Sequence, residues 1–246
     1  MDHSKIDVMY PLADGSLNDN LELRYSLRAL EKHVSNIDTV FIIGDQLPSW
    51  VNNAIWIPKS DTAREKQVNI LEKIMVMCNY KAATDNFLFM NDDHFFSKDV
   101  IASQLPYFNK GELERGIRNH HNSGVHRGYV NTLENTQREL ERRGLSTLNY
   151  DIHLPIVYNK EKFLEIASQY DWNQQQSLAI KSIYCNTLGV KGLRVPDMRF
   201  WRPFPKETVL KKVQGAIGFS VSDSGLLGGF IEALEKLYPN KSKYEI

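Results

Sequence analysis

The sequence predicts an α/β fold, with helices on both sides of a mainly parallel sheet. Short apolar runs typical of strands alternate with longer segments whose apolar residues recur at helical spacing. The run FLFM at residues 87–90 has no polar alternation, as expected of a strand covered on both faces. The alternating order favours parallel strands joined by helical crossovers. The 246 residues are enough for one large core, and we expect one folded unit over residues 1–246.

The first hundred residues supply the predicted sheet and two of its helices. In the first helix, apolar residues recur at spacings of four, three and four from Leu23 to Val34, and Asn18 or Asp19 can cap it. A second helix is predicted over residues 62–79, with Asp61 as its cap. The strands are predicted at residues 6–10, 39–43, 54–57 and 87–90.

Beyond residue 100 the pattern changes. Residues 109–129 are polar and contain histidines and several glycines, so we predict a mobile loop region there. A zinc site formed by His120, His121 and His126 is one alternative, but their spacing fits no metal signature, and solvated side chains are the simpler interpretation. Further helices are predicted over residues 133–143, after a cap at Asn159, and over residues 226–237.

Composition excludes several classes of protein. Thirty basic residues balance thirty acidic ones, so no overall field would hold the chain on nucleic acid or on an anionic membrane. The only cysteines, Cys78 and Cys185, lie in helix-like, largely apolar segments, which favours buried reduced thiols and points to the cytoplasm. No window approaches the roughly 18 apolar residues of a membrane helix, and the first residues lack a secretion signal. We therefore expect a cytoplasmic protein with no transmembrane segment and no nucleic-acid partner.

Acidic residues follow three of the predicted strands. Asp14, Asp45 and the pair Asp92-Asp93 come after strand runs, at the edge where open α/β sheets bind ligands. Carboxylate oxygens suit Mg²⁺ or Mn²⁺, which one or two carboxylates often hold while substrate phosphates complete the shell. The alternative is structural, with Asp92 capping a turn or helix and Asp93 solvated. Both aspartates can reach one ion only if the strand has already given way to a loop.

The first helix carries two arginines on one face. Arg24 and Arg28 are four residues apart, and like charges at that spacing weaken a helix unless an anion lies between them. The guanidinium fork matches phosphate geometry, so a phosphate is one candidate for that anion. A structural network with Glu31 or with a strand-end aspartate is the other.

Two later stretches add candidate residues. His153 lies in the apolar run YDIHLPIVY, where an imidazole either hydrogen-bonds within the core or faces a cleft as a proton acceptor. Asp223 follows another apolar run. The aromatic cluster at residues 200–204, flanked by Asp197 and Arg199, is interpreted as a packing corner.

Several stretches, taken in order, resemble the Stealth family of sugar-phosphate transferases, which act in bacterial capsule synthesis and in tagging lysosomal glycoproteins. The most specific piece joins Asp19-Asn20 to residues 22–28, and Asn91-Asp92-Asp93 is the next most specific. The resemblance extends over residues 6–223. The matching stretches are IDVMYPLADG, DNLELRYSLRALEKH, VFIIGDQLPSW, FLFMNDDHFF, YDIHLP and GFSVSDSG.

The resemblance implies a fold like that of the GT-A nucleotide-sugar transferases. It implies transfer of hexose-1-phosphate from a nucleotide-diphosphate sugar to a glycan hydroxyl, in cell-surface polysaccharide synthesis. The donor is then expected on residues 1–100 and the acceptor on residues 101–246. The implied catalytic residues are His153, Asp93 and Arg28, and the implied ligands of a divalent Mg²⁺ or Mn²⁺ are Asp92 and Asp93. The implied substrate-binding residues are Asp14, Gly15, Asn20, Arg24, Arg28, Asn91 and Asp223.

The chain departs from the family in two places. It has Leu12-Ala13 where members tend to have Trp-Val, and Ser182-Ile183 where a Phe-Arg pair is expected. A missing arginine removes one phosphate clamp. One alternative that this leaves open is a metal-dependent glycosyltransferase that moves the sugar alone. Two alternatives from other classes also stay open, namely a non-catalytic nucleotide- or glycan-binding module and a metal-dependent phosphoesterase.

Overall fold

The computed structural model of the chain describes residues 4–13, 19–123, 127–172 and 177–246. Asp14, Gly15, Asn18 and His126 lie outside these ranges, so the roles expected of them stay predictions.

Strands and helices alternate through the described residues. The strands are β1 (Ile6–Pro11), β2 (Val34–Ser35), β3 (Ile37–Gly44), β4 (Ile55–Pro58), β5 (Asn86–Phe89), β6 (His94–Phe96), β7 (Val100–Ile101), β8 (Phe108–Asn109), β9 (Ile156–Asn159), β10 (Leu193–Arg194), β11 (Arg199–Phe200) and β12 (Gly218–Val221). The helices are α1 (Leu21–His33), α2 (Lys66–Asn79), α3 (Leu113–Ser123), α4 (Arg127–Arg142), α5 (Lys160–Ala167), α6 (Ile180–Leu188), α7 (Lys206–Val213) and α8 (Phe230–Leu237), with a short 3₁₀ helix at Ala102–Gln104.

A five-stranded sheet lies at the centre of the described fold, in the order β4-β3-β1-β5-β9. β1 pairs in parallel with both β3 and β5, and β3 pairs in parallel with β4. β9 closes one edge by pairing antiparallel with β5. The prediction of an α/β fold with a mainly parallel sheet between helices is confirmed, and the arrangement is compatible with a GT-A-like fold.

Both faces of this sheet are covered. Val8 of β1 packs in one apolar cluster with Leu23 and Leu27 of α1. Met9, the next residue of β1, packs on the opposite face with Leu71 and Ile74 of α2. Because successive strand residues point to opposite faces, covering both faces favours apolar residues in succession, as at residues 8–10 and 87–89; the buried Asp7 of β1 instead accepts hydrogen bonds from the backbone N–H groups of Thr39 and Thr84. This explains why β1 and β5 show no polar alternation.

The second helix begins later than its apolar pattern predicts. The prediction begins at residue 62, but the helix begins at Lys66, after an irregular segment. The side chain of Asn69 accepts hydrogen bonds from the backbone N–H groups of Thr62 and Ala63, which holds this segment out of the helix. Asp61 does not cap the helix but forms an ion pair with Lys73 at 2.6 Å. The last helix also begins late, at residue 230 instead of 226.

The prediction of a loop region over residues 109–129 is wrong, because α3 and the first turn of α4 occupy most of it. Leu113 is fully buried and Ile117 packs against the main core, so one face of α3 is anchored despite its polar composition. Gly116 lies where the helix passes close to Asn149, and an added Cβ would lie 3.1 Å from the side-chain nitrogen of Asn149. Tertiary packing here outweighs the weak helix propensity of glycine.

A second, three-stranded sheet lies in the order β11-β12-β6. β6 follows the turn that contains Asp92 and Asp93, and β12 pairs with it antiparallel. β11 pairs in parallel with β12, and α7 and α8 pack on this sheet. The pairing therefore brings Arg199 and Asp223 toward the end of β5, although they are far from it in sequence.

Other local predictions have clear outcomes. Cys78 and Cys185 are buried free thiols, as predicted. Asn159 caps α5, and its side chain accepts a hydrogen bond from the backbone N–H of Lys162 at 3.1 Å. Among the helices of the described ranges, none has the length and apolar character needed to cross a membrane.

Candidate functional site

A cavity of about 240 Å³ lies at the carboxyl ends of β1 and β5. Asn91, Asp92 and Asp93 line it from the turn after β5, and Asp223 lines it from the segment after β12. We call it the carboxylate cavity. The fold thus brings four of the sequence-predicted site residues to one place.

The two adjacent aspartates do not belong to a strand. β5 ends at Phe89, and the backbone N–H of His94 donates to the carbonyl oxygen of Asn91 at 3.1 Å, which closes a turn. Asp92 and Asp93 lie within this turn, so the alternation of a strand does not force their side chains to opposite faces. The condition for both carboxylates to approach one ion is met.

The surroundings of Asp92 and Asp93 disfavour the ionised form of both carboxyl groups. Burial raises the pKa of Asp92, and the nearby Asp223 adds to this rise. Burial together with the charge of Asp92 raises the pKa of Asp93 to about 7. The cations Arg199 and Lys66 oppose the rise for Asp93 without cancelling it. A positive charge between the two carboxylates would relieve both causes.

The residues fit a divalent cation. Oδ1 of Asp93 is buried and has no hydrogen-bond partner within the described part of the chain. In those same ranges no three His, Cys, Asp or Glu side chains converge as a complete metal site. A cation here would therefore take Asp92 and Asp93 and complete its shell with water and substrate phosphate oxygens, which is how proteins commonly bind Mg²⁺.

A second cavity of about 180 Å³ adjoins the first, and His153 lines it. We call it the histidine cavity. The two cavities share a wall, because Lys66, Asn91, Asp93 and Arg199 line both of them. A molecule in the histidine cavity would thus meet the imidazole of His153 on one side and the carboxylate of Asp93 on the other.

Asp197 fixes the orientation of His153. Its Oδ2 lies 2.9 Å from Nδ1 of the imidazole, and its Oδ1 accepts from the backbone N–H of His153 at 3.0 Å. On the other side of the ring, the Arg199 guanidinium donates to Nε2. Because arginine has no acceptor atom, Nε2 carries the lone pair and Nδ1–H donates to Asp197.

The protonation states of His153 and Asp197 favour proton acceptance by the imidazole. Burial lowers the pKa of His153, so the imidazole is neutral at neutral pH. Although burial acts to raise it, hydrogen bonding from His153 and the charge of Lys110 hold the pKa of Asp197 below its ordinary value. A neutral imidazole oriented by an ionised carboxylate is suited to accept a proton at Nε2 and to be stabilised afterwards as the cation.

A buried lysine fixes the backbone around His153. Lys181 is only 7% exposed, and its Nζ donates to the carbonyl oxygens of Ile152 at 2.8 Å and Leu154 at 2.7 Å. These carbonyls lie on either side of His153. The segment that carries the imidazole is therefore tied to α6 at both neighbouring residues.

Four of these site residues were not identified from the sequence, namely Lys66, Lys181, Asp197 and Arg199. The sequence interpretation assigned Asp197 and Arg199 to a packing corner. An acidic and a basic residue two positions apart, next to a short apolar run, is a pattern that could have identified Asp197 and Arg199 as site residues. For Lys181 the signal was a single lysine in the apolar segment that contains Cys185. Lys66 had no distinguishing local pattern.

Arg24 and Arg28 are not among the described residues that line either cavity. Nε and Nη2 of Arg28 donate to the two carboxylate oxygens of Glu245, each at 2.7 Å. Arg24 stacks over the ring of Trp50 at 4.3 Å, and its Nη1 lies 3.6 Å from the same carboxylate. The anion between the arginines is therefore Glu245, and their role in donor binding stays a prediction.

Replacing Arg28 by alanine is expected to lower the free energy of unfolding by about 2 kcal/mol, because it leaves the fully buried Glu245 carboxylate without its main partner. Arg24→Ala is the matched control and should cost less, since its contact with Glu245 is longer. Denaturant unfolding measures both. Calorimetric titration with the donor then separates the two roles: unchanged affinity in both variants assigns the arginines to the fold alone, and a loss of donor binding by a folded Arg28→Ala protein assigns this arginine to the donor phosphates, as the resemblance implies.

Two further polar residues lie apart from the carboxylates. Asn20 precedes α1 with a left-handed backbone (φ 55°), and its side chain makes no capping hydrogen bond to the described residues of the helix. Asp45 follows β3, as predicted, but accepts a hydrogen bond from the hydroxyl of Ser60. Neither is among the described residues that line the two cavities.

Part of the chain is similar to known transferases. Over 112 aligned residues it is 30% identical to the N-acetylglucosamine-1-phosphotransferase subunits alpha/beta of Mus musculus and of Homo sapiens. The match covers 38% of this chain and 8% of the length of these relatives. No protein-family model matches the chain. These relatives are phosphotransferases by name, and the similarity agrees with the resemblance of the sequence motifs to sugar-phosphate transferases.

Proposed function

We propose that the chain is a transferase that moves hexose-1-phosphate from a nucleotide-diphosphate sugar to a glycan hydroxyl, in cell-surface polysaccharide synthesis. The observation that carries the proposal is the shared wall of the two cavities. Asp93 lies in this wall, with the imidazole of His153, oriented by Asp197, in the cavity on one side and the carboxylates of Asp92 and Asp223 in the cavity on the other. A base and an anion-binding centre that face a common space are what transfer of a phosphoryl group requires.

The donor diphosphate would bind in the carboxylate cavity. Asp92 and Asp93 would hold a divalent cation, which when bound neutralises phosphate charge and polarises the phosphoryl oxygens. Lys66 and Arg199 line the same wall and supply further positive charge for the phosphates. In this division, residues 1–100 contribute most of the donor side. Residues 101–246 contribute the acceptor side, and they also supply Arg199 to the donor side.

The acceptor hydroxyl would enter the histidine cavity and replace Arg199 as the donor to Nε2 of His153. As its oxygen bonds to the β-phosphorus, its proton passes to Nε2, and Asp197 stabilises the resulting imidazolium. The bond between the β-phosphorus and the oxygen that bridges the two phosphates breaks, and a nucleoside monophosphate leaves with the negative charge. Arg199, which lines both cavities, would then be released from the imidazole to meet the transferred phosphoryl group.

The nucleotide released from a donor and acceptor mixture tests this proposal. A nucleoside monophosphate that forms only when the acceptor is present is the expected product. A nucleoside diphosphate would indicate a glycosyltransferase that moves the sugar alone. Free sugar phosphate without acceptor would indicate a phosphoesterase, and donor binding without any product would indicate a binding module. Chromatography of the nucleotides distinguishes these outcomes.

A further inference from the structure

His94 is a buried histidine beside the carboxylate pair, and its position is tightly fixed. Its backbone N–H donates to Asn91, and its carbonyl oxygen accepts from the hydroxyl of Ser26 at 2.6 Å. It also pairs with Ser220 across the antiparallel ladder between β6 and β12. The residue is completely withdrawn from solvent. The ring therefore has little freedom to turn away from its neighbours.

The contacts of the ring define which nitrogen carries the proton. The backbone N–H of Asn91 points at Nδ1 at 3.3 Å, so Nδ1 is the acceptor. Because Nδ1 accepts this hydrogen bond it carries no proton, so the ring is neutral. A neutral imidazole with Nδ1 as acceptor carries its single proton on Nε2.

Nε2 of His94 and Oδ1 of Asp93 are complementary atoms without other partners. They lie 3.8 Å apart, and both are buried with no hydrogen-bond partner among the described residues. Leaving a buried donor or acceptor unpaired is costly, so both atoms would gain from pairing with each other. A movement of the Asp93 side chain by about 1 Å would bring the two atoms to hydrogen-bond distance in the metal-free protein.

We propose that His94 is a positioning residue for Asp93: its Nε2–H holds Oδ1 and thereby turns Oδ2 toward the carboxylate cavity, where it meets the divalent cation. The proposal rests on the cation site of the proposed function. Its physical benefit is that one oxygen is fixed before the cation arrives, so less side-chain freedom is lost on binding. Hydrogen-bond partners of ligating carboxylates typically affect metal affinity by about 10- to 100-fold.

Nuclear magnetic resonance of the full chain, labelled with ¹⁵N histidine and kept free of metal, tests the pairing itself. The Nε2–H tautomer is expected for His94, with a slowly exchanging proton whose signal moves and exchanges faster in the Asp93→Ala variant. An Nδ1–H tautomer, or a signal that does not respond to Asp93→Ala, overturns the proposal. This measurement does not depend on any metal or on activity.

Titration with Mn²⁺ tests the consequence for the cation. The amide nitrogen of glutamine reaches about as far as Nε2, whereas that of asparagine reaches only as far as Nδ1. His94→Gln should therefore keep an affinity close to that of the parent, and His94→Asn should lose about 10- to 100-fold. Denaturant unfolding of both variants checks that they are folded. Equal affinities in two folded variants overturn the proposal.

The two proposals can fail separately. If the parent protein itself binds no Mn²⁺, the cation of the proposed function is lost, and the nuclear magnetic resonance result alone decides whether His94 holds Asp93. If the parent binds Mn²⁺ and His94→Gln loses as much affinity as His94→Asn, the cation site stands and the role of His94 does not.

Discussion

Replacing His153 by alanine is expected to lower turnover by roughly 10²- to 10⁴-fold, the usual contribution of a general base, while donor affinity stays near that of the parent. The reason is the separation of the two cavities. His153 lines the histidine cavity, whereas the carboxylate pair that is proposed to hold the donor lines the other side of the shared wall. Steady-state kinetics and calorimetric donor titration measure the two quantities independently.

The pH profile adds a second test of the same role. The base must be neutral to accept a proton, and burial lowers the pKa of His153 below its ordinary value near 6.5. With saturating Mn²⁺, which would keep Asp93 ionised, the acid limb of kcat/KM should therefore lie below the usual histidine range and disappear in the His153→Ala variant. His121→Ala is the control, because His121 is an exposed histidine that contacts Glu134. A His153→Ala protein that turns over like the parent would exclude this residue as the base.

Replacing Asp93 by asparagine is expected to abolish the effect of divalent cations on donor binding. In the parent, excess chelator should weaken donor binding by about 3 kcal/mol, which is roughly 10²-fold, because a diphosphate then meets desolvated carboxylates without a compensating charge. In Asp93→Asn, donor affinity should no longer depend on chelator. In Asp92→Asn, the dependence on chelator should be reduced. Calorimetric titration with and without Mn²⁺ measures the difference.

The stability of the metal-free Asp93→Asn variant provides an internal check on folding. The pKa of Asp93 is raised to about 7 in the folded state, so this side chain loses its proton more readily when the protein is unfolded. The free energy of unfolding of the parent should therefore fall as pH rises from about 4 to 7. At pH 8 the variant should therefore be at least as stable as the parent. Asp45→Asn serves as the matched control, since Asp45 lies after a strand but outside the cavity.

The aspartate assignment has a clear failure. If donor binds equally well in excess chelator, and if Asp92→Asn and Asp93→Asn both turn over like the parent, the two carboxylates only stabilise a turn.

The central sheet was predictable because its signals are local. Each signal is contained in a short stretch of sequence, either the apolar runs of β1, β3 and β5 or the helical spacing of apolar residues in α1 and α2. The alternation of these strands and helices favours the parallel topology. The position of Asp92 and Asp93 at a ligand-binding edge followed from the same topology. The helix α3 was missed because its polar, glycine-containing sequence is stabilised by packing of Leu113 and Ile117, which composition does not reveal.

The partners of the candidate site residues could not be predicted in the same way. His153 meets Asp197 and Arg199 only because β11 joins the second sheet, more than forty residues along the chain. Arg28 meets Glu245 near the other end of the described chain, at a sequence separation of 217 residues. The local pattern indicated that the two arginines of α1 need an anion, but nothing in it distinguishes a phosphate from a distant carboxylate.

The bond that breaks in the donor tests the central claim most directly. A donor nucleotide sugar can be labelled with ¹⁸O in the bridge between C1 of the sugar and the β-phosphorus, and the products can be weighed by mass spectrometry. Attack at phosphorus, as proposed, leaves the label in the new phosphodiester and releases an unlabelled nucleoside monophosphate. Label in a released nucleoside diphosphate would mean that the C1–O bond breaks, and it would contradict transfer of the sugar with its phosphate.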